Sequence, residues 1–321
     1  MTATYLHRET EAAAPKDVPF WARQEGVAVI LGIYMVLHAL IATVFEIAVN
    51  PDDAIESYLV QSLELSYVPR NPPFFDWLLW GLQQVLGTDP LSFAVLRYTL
   101  LFACAMLVYR VARRVIAEPR LQALATFSLS AIWVIGYHSH RILTHSNVMI
   151  VAIAGAFLTV IALARKPSTG LYAGLGAWIA VGMLGKFGFA AFLGVLIVAC
   201  LMEPTYRRVI LDRRILVSLL VAAVPLGIYG LALWRFGHNV ASATAQTIGA
   251  TGAGWDDGFA TAIAALAGYV LPLAILMAAV FLPFNRGEGA LPDDPARGAP
   301  RRGLRPGVGL GLGGTFIPPP P

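Results

Sequence analysis

Asp52 and Asp53 follow Asn50-Pro51 directly after the first long apolar run of the chain. Acids in that place have two readings. Behind an Asn cap and a Pro they face the positive end of a helix dipole, which explains them without any catalysis. At the mouth of an outward cavity, a carboxylate there can instead take the proton of an attacking hydroxyl as a general base. Lys186 is a lone cation between two apolar runs, with Gly185 and Gly188 beside it. It is either an interfacial lysine reaching for water or the binding group for an anion, and flanking glycines that admit a close approach favour the second. Arg70-Asn71-Pro72-Pro73 sets a cation and an amide before a stiff extended dipeptide, or is simply the turn before a helix. His138, His140, Arg141 and His145 crowd one connection. The His-x-His pair could ligate a metal with an outer carboxylate, but no second spaced pair completes the set, so hydrogen bonding to a sugar or phosphate is the preferred chemistry.

The elements that position these residues are membrane spans. The chain is 57% hydrophobic and 13% charged, against about 25% charged in soluble domains. Its charges sit in short clusters between apolar runs of spanning length. Eight spans are expected, over 26–48, 93–115, 121–137, 148–164, 170–185, 187–201, 215–234 and 259–281. With residues 1–25 in the cytoplasm, the inner segments collect Arg110, Arg113, Arg114, Arg120, Arg165, Lys166, Arg207, Arg208, Arg213 and Arg214. The outer ones hold Asp52, Asp53, Glu56, Glu64, Asp76, Asp89, Asp256 and Asp257. The basic residues are therefore topology signals, and nucleic acid is not an expected partner. Cys104 and Cys200 lie inside apolar runs and read as small buried hydrophobes. The polar, acid-bearing start is not a signal peptide, so the first span acts as an uncleaved anchor.

The first outer loop is long and ordered by expectation. One helix starts at Asn50, and a second follows Pro72-Pro73, with Phe74, Trp77, Leu78, Leu82 and Val85 on one face; both lie on the membrane surface. After 26–284 the composition breaks. Residues 285–321 are rich in Gly, Pro and Arg and cannot bury a core, which points to a disordered tail from a shifted reading frame or a truncation. No phosphate-binding glycine loop and no dinucleotide pattern is present, and the inner loops are too short to house a nucleotide-sugar domain. An activated donor must come through the lipid phase.

The order of these features resembles the bacterial family-39-type glycosyltransferases of the GT-C fold: an acidic pair after the first span, Pro-Pro before an amphipathic helix, Arg141-Ile142-Leu143-Thr144-His145-Ser146 opening the fourth span, and Gly185-Lys186 between the fifth and sixth. The group includes the aminoarabinose transferase of lipid A, protein O-mannosyltransferases and rhizobial lipopolysaccharide galacturonosyltransferases. The resemblance implies an all-α polytopic bundle in the inner membrane with its active site on the periplasmic face. It implies a polyprenyl-phosphate-linked sugar as donor, and lipid A, core oligosaccharide, another glycan or protein as acceptor. Asp52, with Asp53 beside it, matches the catalytic acid; Lys186, Arg70 and Arg141 fall to the donor phosphate; Asn71, His138, His140 and His145 fall to substrate. Some relatives carry Glu-Lys-Pro-Pro where this chain has Arg70-Asn71-Pro72-Pro73, so a metal site like theirs is not carried over; a divalent metal stays open as the one cofactor. The runner-up is a lipid-linked-sugar transporter, which would show internal repeats and mid-bilayer charges. A third reading is an inactive truncated homologue.

Overall fold

The computed structural model describes residues 18–45, 50–142 and 144–243, with scattered positions between 258 and 278. Its contacts divide the chain into Met1–Leu273 and Ala274–Pro321, and the helical bundle lies within the first unit. The expected tail and the eighth span fall wholly or largely outside the described residues, as do residues 1–17.

Among the described residues the chain is helical, with no strand and one isolated bridge, Val68 to Asn71. A 3-10 turn at Phe20–Ala22 leads into α1 (Gln24–Phe45). Then come α2 (Pro51–Leu59), α3 (Phe74–Leu86), α4 (Pro90–Val115), α5 (Pro119–Phe127), a 3-10 turn (Ser128–Ala131), a π turn (Val134–His138) and α6 (Ser139–Arg141). The series closes with α7 (His145–Arg165), α8 (Thr169–Gly185), α9 (Phe189–Met202), α10 (Pro204–Leu211) and α11 (Ile215–Arg235). Of the described helices four, α1, α4, α7 and α11, are long and apolar enough to cross a membrane; α9 with α10 would make a fifth, although the pair bends by 117° at Glu203. The protein is a polytopic helical bundle.

The third expected span is not one helix. It starts at α5, tightens into the 3-10 turn and passes through the π turn to α6. Two causes are local. Ser128 Oγ and Ser130 Oγ donate to the carbonyls of Ala125 and Phe127, which bends helices. Gly136 then lies so close to Ser130 that a Cβ would stand 1.9 Å from its carbonyl oxygen. Apolar composition gave the run its length but could not reveal the break.

At the centre, α7 packs on α4 and α8, α1 packs on α4, and α8 packs on α11. Small residues bring the helices together. Gly176 lies against the Ser218 backbone, and Ser218 Oγ donates to the Tyr172 carbonyl at 2.6 Å. Tyr172 OH in turn donates to the Val209 carbonyl at 2.9 Å, tying α8 to α10. Cys104 and Cys200 are buried free thiols, as expected.

The two ends of the bundle differ in chemistry. At one end Arg113 donates to Gln24, Arg165 to the Arg114 carbonyl, and Arg214 to the Pro167 carbonyl. At the other, α3 packs against α4, α7 and α8 as a cap. There Asn50 Nδ2 donates to the Arg141 carbonyl at 2.6 Å, and Ser66 pairs with His238 at 2.9 Å.

The face of α3 that packs into the protein is not its apolar stripe. Phe75, Asp76, Leu79 and Gln83 are buried, while Val85 is 81% exposed and Phe74, Trp77, Leu78 and Leu82 are half-buried. In a bilayer protein the apolar stripe need not point inward, because lipid or interface can take it; the interior then receives the polar residues.

Candidate active site

Helix α2 begins as its sequence dictates. Asn50 Oδ1 accepts from the Asp52 N–H at 2.9 Å, and Pro51 occupies the first turn. The helical repeat then separates the acids. Asp53 and Glu56, three residues apart, face inward and are buried, whereas Asp52 is exposed. Asp53 is engaged: Arg97 Nη2 of α4 donates to both of its oxygens at 2.8 Å. Its carboxylate anchors α2 to α4, and Asp52 is the acid left at the rim.

Inside that rim three titratable groups from three elements meet. Glu56 of α2, Asp76 of α3 and His145 at the start of α7 are all buried. His145 Nδ1 lies 3.7 Å from Glu56 Oε1, and Nε2 lies 3.4 Å from Asp76 Oδ1. Both separations are longer than good hydrogen bonds. Glu56 Oε2, both Asp76 oxygens and His145 Nε2 are buried without a hydrogen-bond partner. Burial first, then the neighbouring Asp76 carboxyl, pushes the Glu56 pKa up to about 8. Burial likewise pushes Asp76 up to about 6. Near neutral pH Glu56 therefore keeps its proton, while Asp76 gives its own up above about pH 6.

The cations stand around this cluster. Lys186, at the end of α8, is half-buried and donates to Ser146 Oγ at 2.7 Å. Burial lowers its pKa, and among the described residues no carboxylate pairs with it. Arg70 is exposed in the turn closed by the Val68–Asn71 bridge, and Asn71 is half-buried. Lys186, Arg70, Asp52 and Glu56 all lie within electrostatic range of His145. The structure thus brings together four of the residues singled out in the sequence: Asp52, Arg70, His145 and Lys186.

The others are more peripheral. Arg141 contributes its backbone carbonyl to Asn50, and its side chain is exposed. His138 packs edge-on against Trp133 and Tyr137. His140 is buried in a ring cluster with His38, Tyr34 and Tyr98, its centroid 5.0 Å from that of His38. There burial, with His38 and Arg97 nearby, pushes its pKa down to about 4. The His-x-His pair is therefore split between two environments. Glu56, Asp76, Arg97 and Ser146 were not singled out in the sequence. The available signals were Asp76 as a lone acid in an apolar helix and Arg97 as a cation inside an apolar run.

Comparison with known proteins agrees with the resemblance drawn from the motifs. The dolichyl-phosphate-mannose-protein mannosyltransferase family matches residues 70–234. The lipopolysaccharide core galacturonosyltransferase RgtB of Rhizobium johnstonii is 29% identical over 256 residues, covering 78% of this chain and 51% of that protein. The lipopolysaccharide core galacturonosyltransferase RgtA of the same organism is 28% identical over 223 residues, covering 68% of this chain and 43% of that protein. The chain spans about half the length of these relatives. No solved structure matches. With over half of its length matched, the chain belongs to the dolichyl-phosphate-mannose-protein mannosyltransferase family.

Proposed function

We propose that this protein is an inner-membrane glycosyltransferase that moves a sugar from a polyprenyl-phosphate donor to an acceptor hydroxyl on the periplasmic face. The observation that carries the reading is the convergence of Asp52, Arg70 and Lys186 around His145 at the acidic end of the bundle. The names of the two relatives support a glycan acceptor of the lipopolysaccharide core and a uronic acid as the sugar.

The proposed step is a direct displacement. The acceptor oxygen attacks the anomeric carbon, and the bond from that carbon to the phosphate oxygen breaks with its electron pair staying on the prenyl phosphate. Asp52, exposed at the rim, takes the hydroxyl proton as the new bond forms. Among the described residues no carboxylate pairs with Lys186, and an arriving phosphate would supply the countercharge, with Arg70 as a second cation for it. Preorganised cations facing a leaving phosphate stabilise the charge that develops there. Asp53 holds α2 in place through Arg97, while a substrate role for Asn71, His138, His140 and Arg141 rests on their sequence positions alone.

The test is transfer of labelled sugar from synthetic polyprenyl-phosphate donors to lipopolysaccharide core by purified protein in detergent. Asp52→Asn, which keeps much of the helix cap, should insert normally and lose transfer. Unchanged turnover in Asp52→Asn would reject the base assignment. Donor binding with no transfer to any envelope glycolipid would favour a carrier of lipid-linked sugars.

A further inference from the structure

We propose that Glu56, Asp76 and His145 form a binding site for one divalent first-row metal ion of the Mn2+ and Zn2+ class. The three side chains offer one ligand atom each, and these atoms all lie within 4.8 Å of one another. Asp76 is fully buried and His145 is 3% exposed. The 3.4 Å between His145 Nε2 and Asp76 Oδ1 is awkward for a hydrogen bond. It suits two ligands of one ion: atoms held about 2.1 Å from a tetrahedral centre stand about 3.4 Å apart.

The ring is set up for this from behind. Thr144 Oγ1 lies 3.1 Å from His145 Nδ1, which orients the imidazole and leaves Nε2 for the metal, as outer partners of ligating histidines do. Four prospective ligand atoms, Glu56 Oε2, both Asp76 oxygens and His145 Nε2, are buried and without hydrogen bonds. Asp76 stands in the first turn of α3, yet neither of its oxygens accepts from the helix backbone, so capping does not explain it. Leaving such groups unsatisfied is costly. A divalent ion would satisfy all three residues, and two carboxylates balance its charge. Mixed imidazole and carboxylate ligation suits Mn2+ and Zn2+, and three protein ligands leave a fourth position open to water or a substrate oxygen.

The site concerns binding alone and is tested without any sugar donor, so it stands or falls separately from the transferase reading. Purified full-length chain in detergent is stripped with a chelator and titrated with Mn2+, whose free six-line EPR signal reports the unbound ion. Saturable binding of about one ion per chain is expected, with Zn2+ displacing Mn2+ in line with their intrinsic affinities. Asp76→Asn and His145→Gln should each weaken binding by about 100-fold or more, while Glu64→Gln, at an exposed acid nearby, should leave it unchanged. Pulsed EPR on the wild-type complex should show coupling to an imidazole nitrogen, a readout that needs no variant to fold. The proposal is overturned if the wild-type chain binds no Mn2+ saturably, if both ligand variants bind like wild type, or if bound Mn2+ shows no nitrogen coupling.

Discussion

Removing one partner of the Asp53–Arg97 pair should release α2 from the bundle. Arg97 is the eighth residue of α4, about 10 Å along the helix from its start at 1.5 Å per residue. It is 5% exposed, and its Nη2 contacts both Asp53 oxygens at 2.8 Å. Asp53→Asn leaves that guanidinium buried without a countercharge. Breaking a buried pair in this way costs about 3–5 kcal/mol. Opening of α2 hydrates Arg97, so the opening equilibrium should rise on the order of 10²- to several 10³-fold, at about 1.4 kcal/mol per decade. Hydrogen exchange at the α2 amides, Ala54 to Leu59, reads this directly. The double variant Asp53→Leu with Arg97→Met replaces the pair by apolar groups, which is often neutral, and should restore both α2 protection and sugar transfer. Unchanged α2 exchange in Asp53→Asn would refute the anchoring role. Restored protection with transfer still absent would return Asp53 to the chemistry.

The same geometry sets three further outcomes. Lys186→Ala should weaken prenyl-phosphate binding by about tenfold or more, and Lys186→Arg should rescue it only in part, because the planar fork cannot reproduce a compact ammonium; equal binding in all three proteins would leave Lys186 an interfacial lysine. In the chelator-treated chain, Glu56 and Asp76 are raised to about 8 and about 6 from ordinary values of 4.5 and 3.8, so the folded state binds more protons than the unfolded one between those limits. Their contribution to stability is therefore complete below about pH 4 and is lost as pH rises through about 6 to 8; thermal unfolding should show a lower midpoint at pH 8.5 than at pH 5.5, and Glu56→Gln should flatten that slope. In Gly185→Ala the new Cβ would stand 2.6 Å from Val148 Cγ1, forcing α7 and α8 apart beside Lys186 at a cost of about 1–3 kcal/mol; Gly170→Ala, which meets open space, should unfold like wild type.

What the sequence disclosed depended on how locally each feature is determined. Asn50 caps Asp52 two residues away, so the start of α2 was readable from four letters. Apolar runs and their basic borders depend on composition, and α1, α4, α7 and α11 appear close to where they were expected. Lys186 was conspicuous because a cation is expensive among apolar residues, whatever its neighbours. By contrast, Arg97 meets Asp53 across 44 residues, and nothing in either segment names the other. The meeting of Glu56, Asp76 and His145 was hidden for the same reason. The inward face of α3, with Asp76 and Gln83 on it, was not legible because an apolar stripe on a surface-lying helix says nothing of which residues its other side buries. The break between Ser128 and Gly136 was missed because serine and glycine are common in spans, and the hydrogen bonds that bend this one are invisible in hydropathy.

The contact between Lys186 and Ser146 has a consequence for how the chain is made. At about 5–20 residues per second of synthesis, Lys186 emerges on the order of ten seconds after Asp52. During that interval Asp52, Glu56 and Asp76 have left the ribosome, while Lys186 has not yet been made. The acids are therefore hydrated at first and enclosed afterwards, first when Arg97 arrives in α4, then when His145 opens α7, and later when the turn between α8 and α9 brings in Lys186. Assembly at this end of the bundle is sequential, and Lys186 arrives after every acid of the buried cluster.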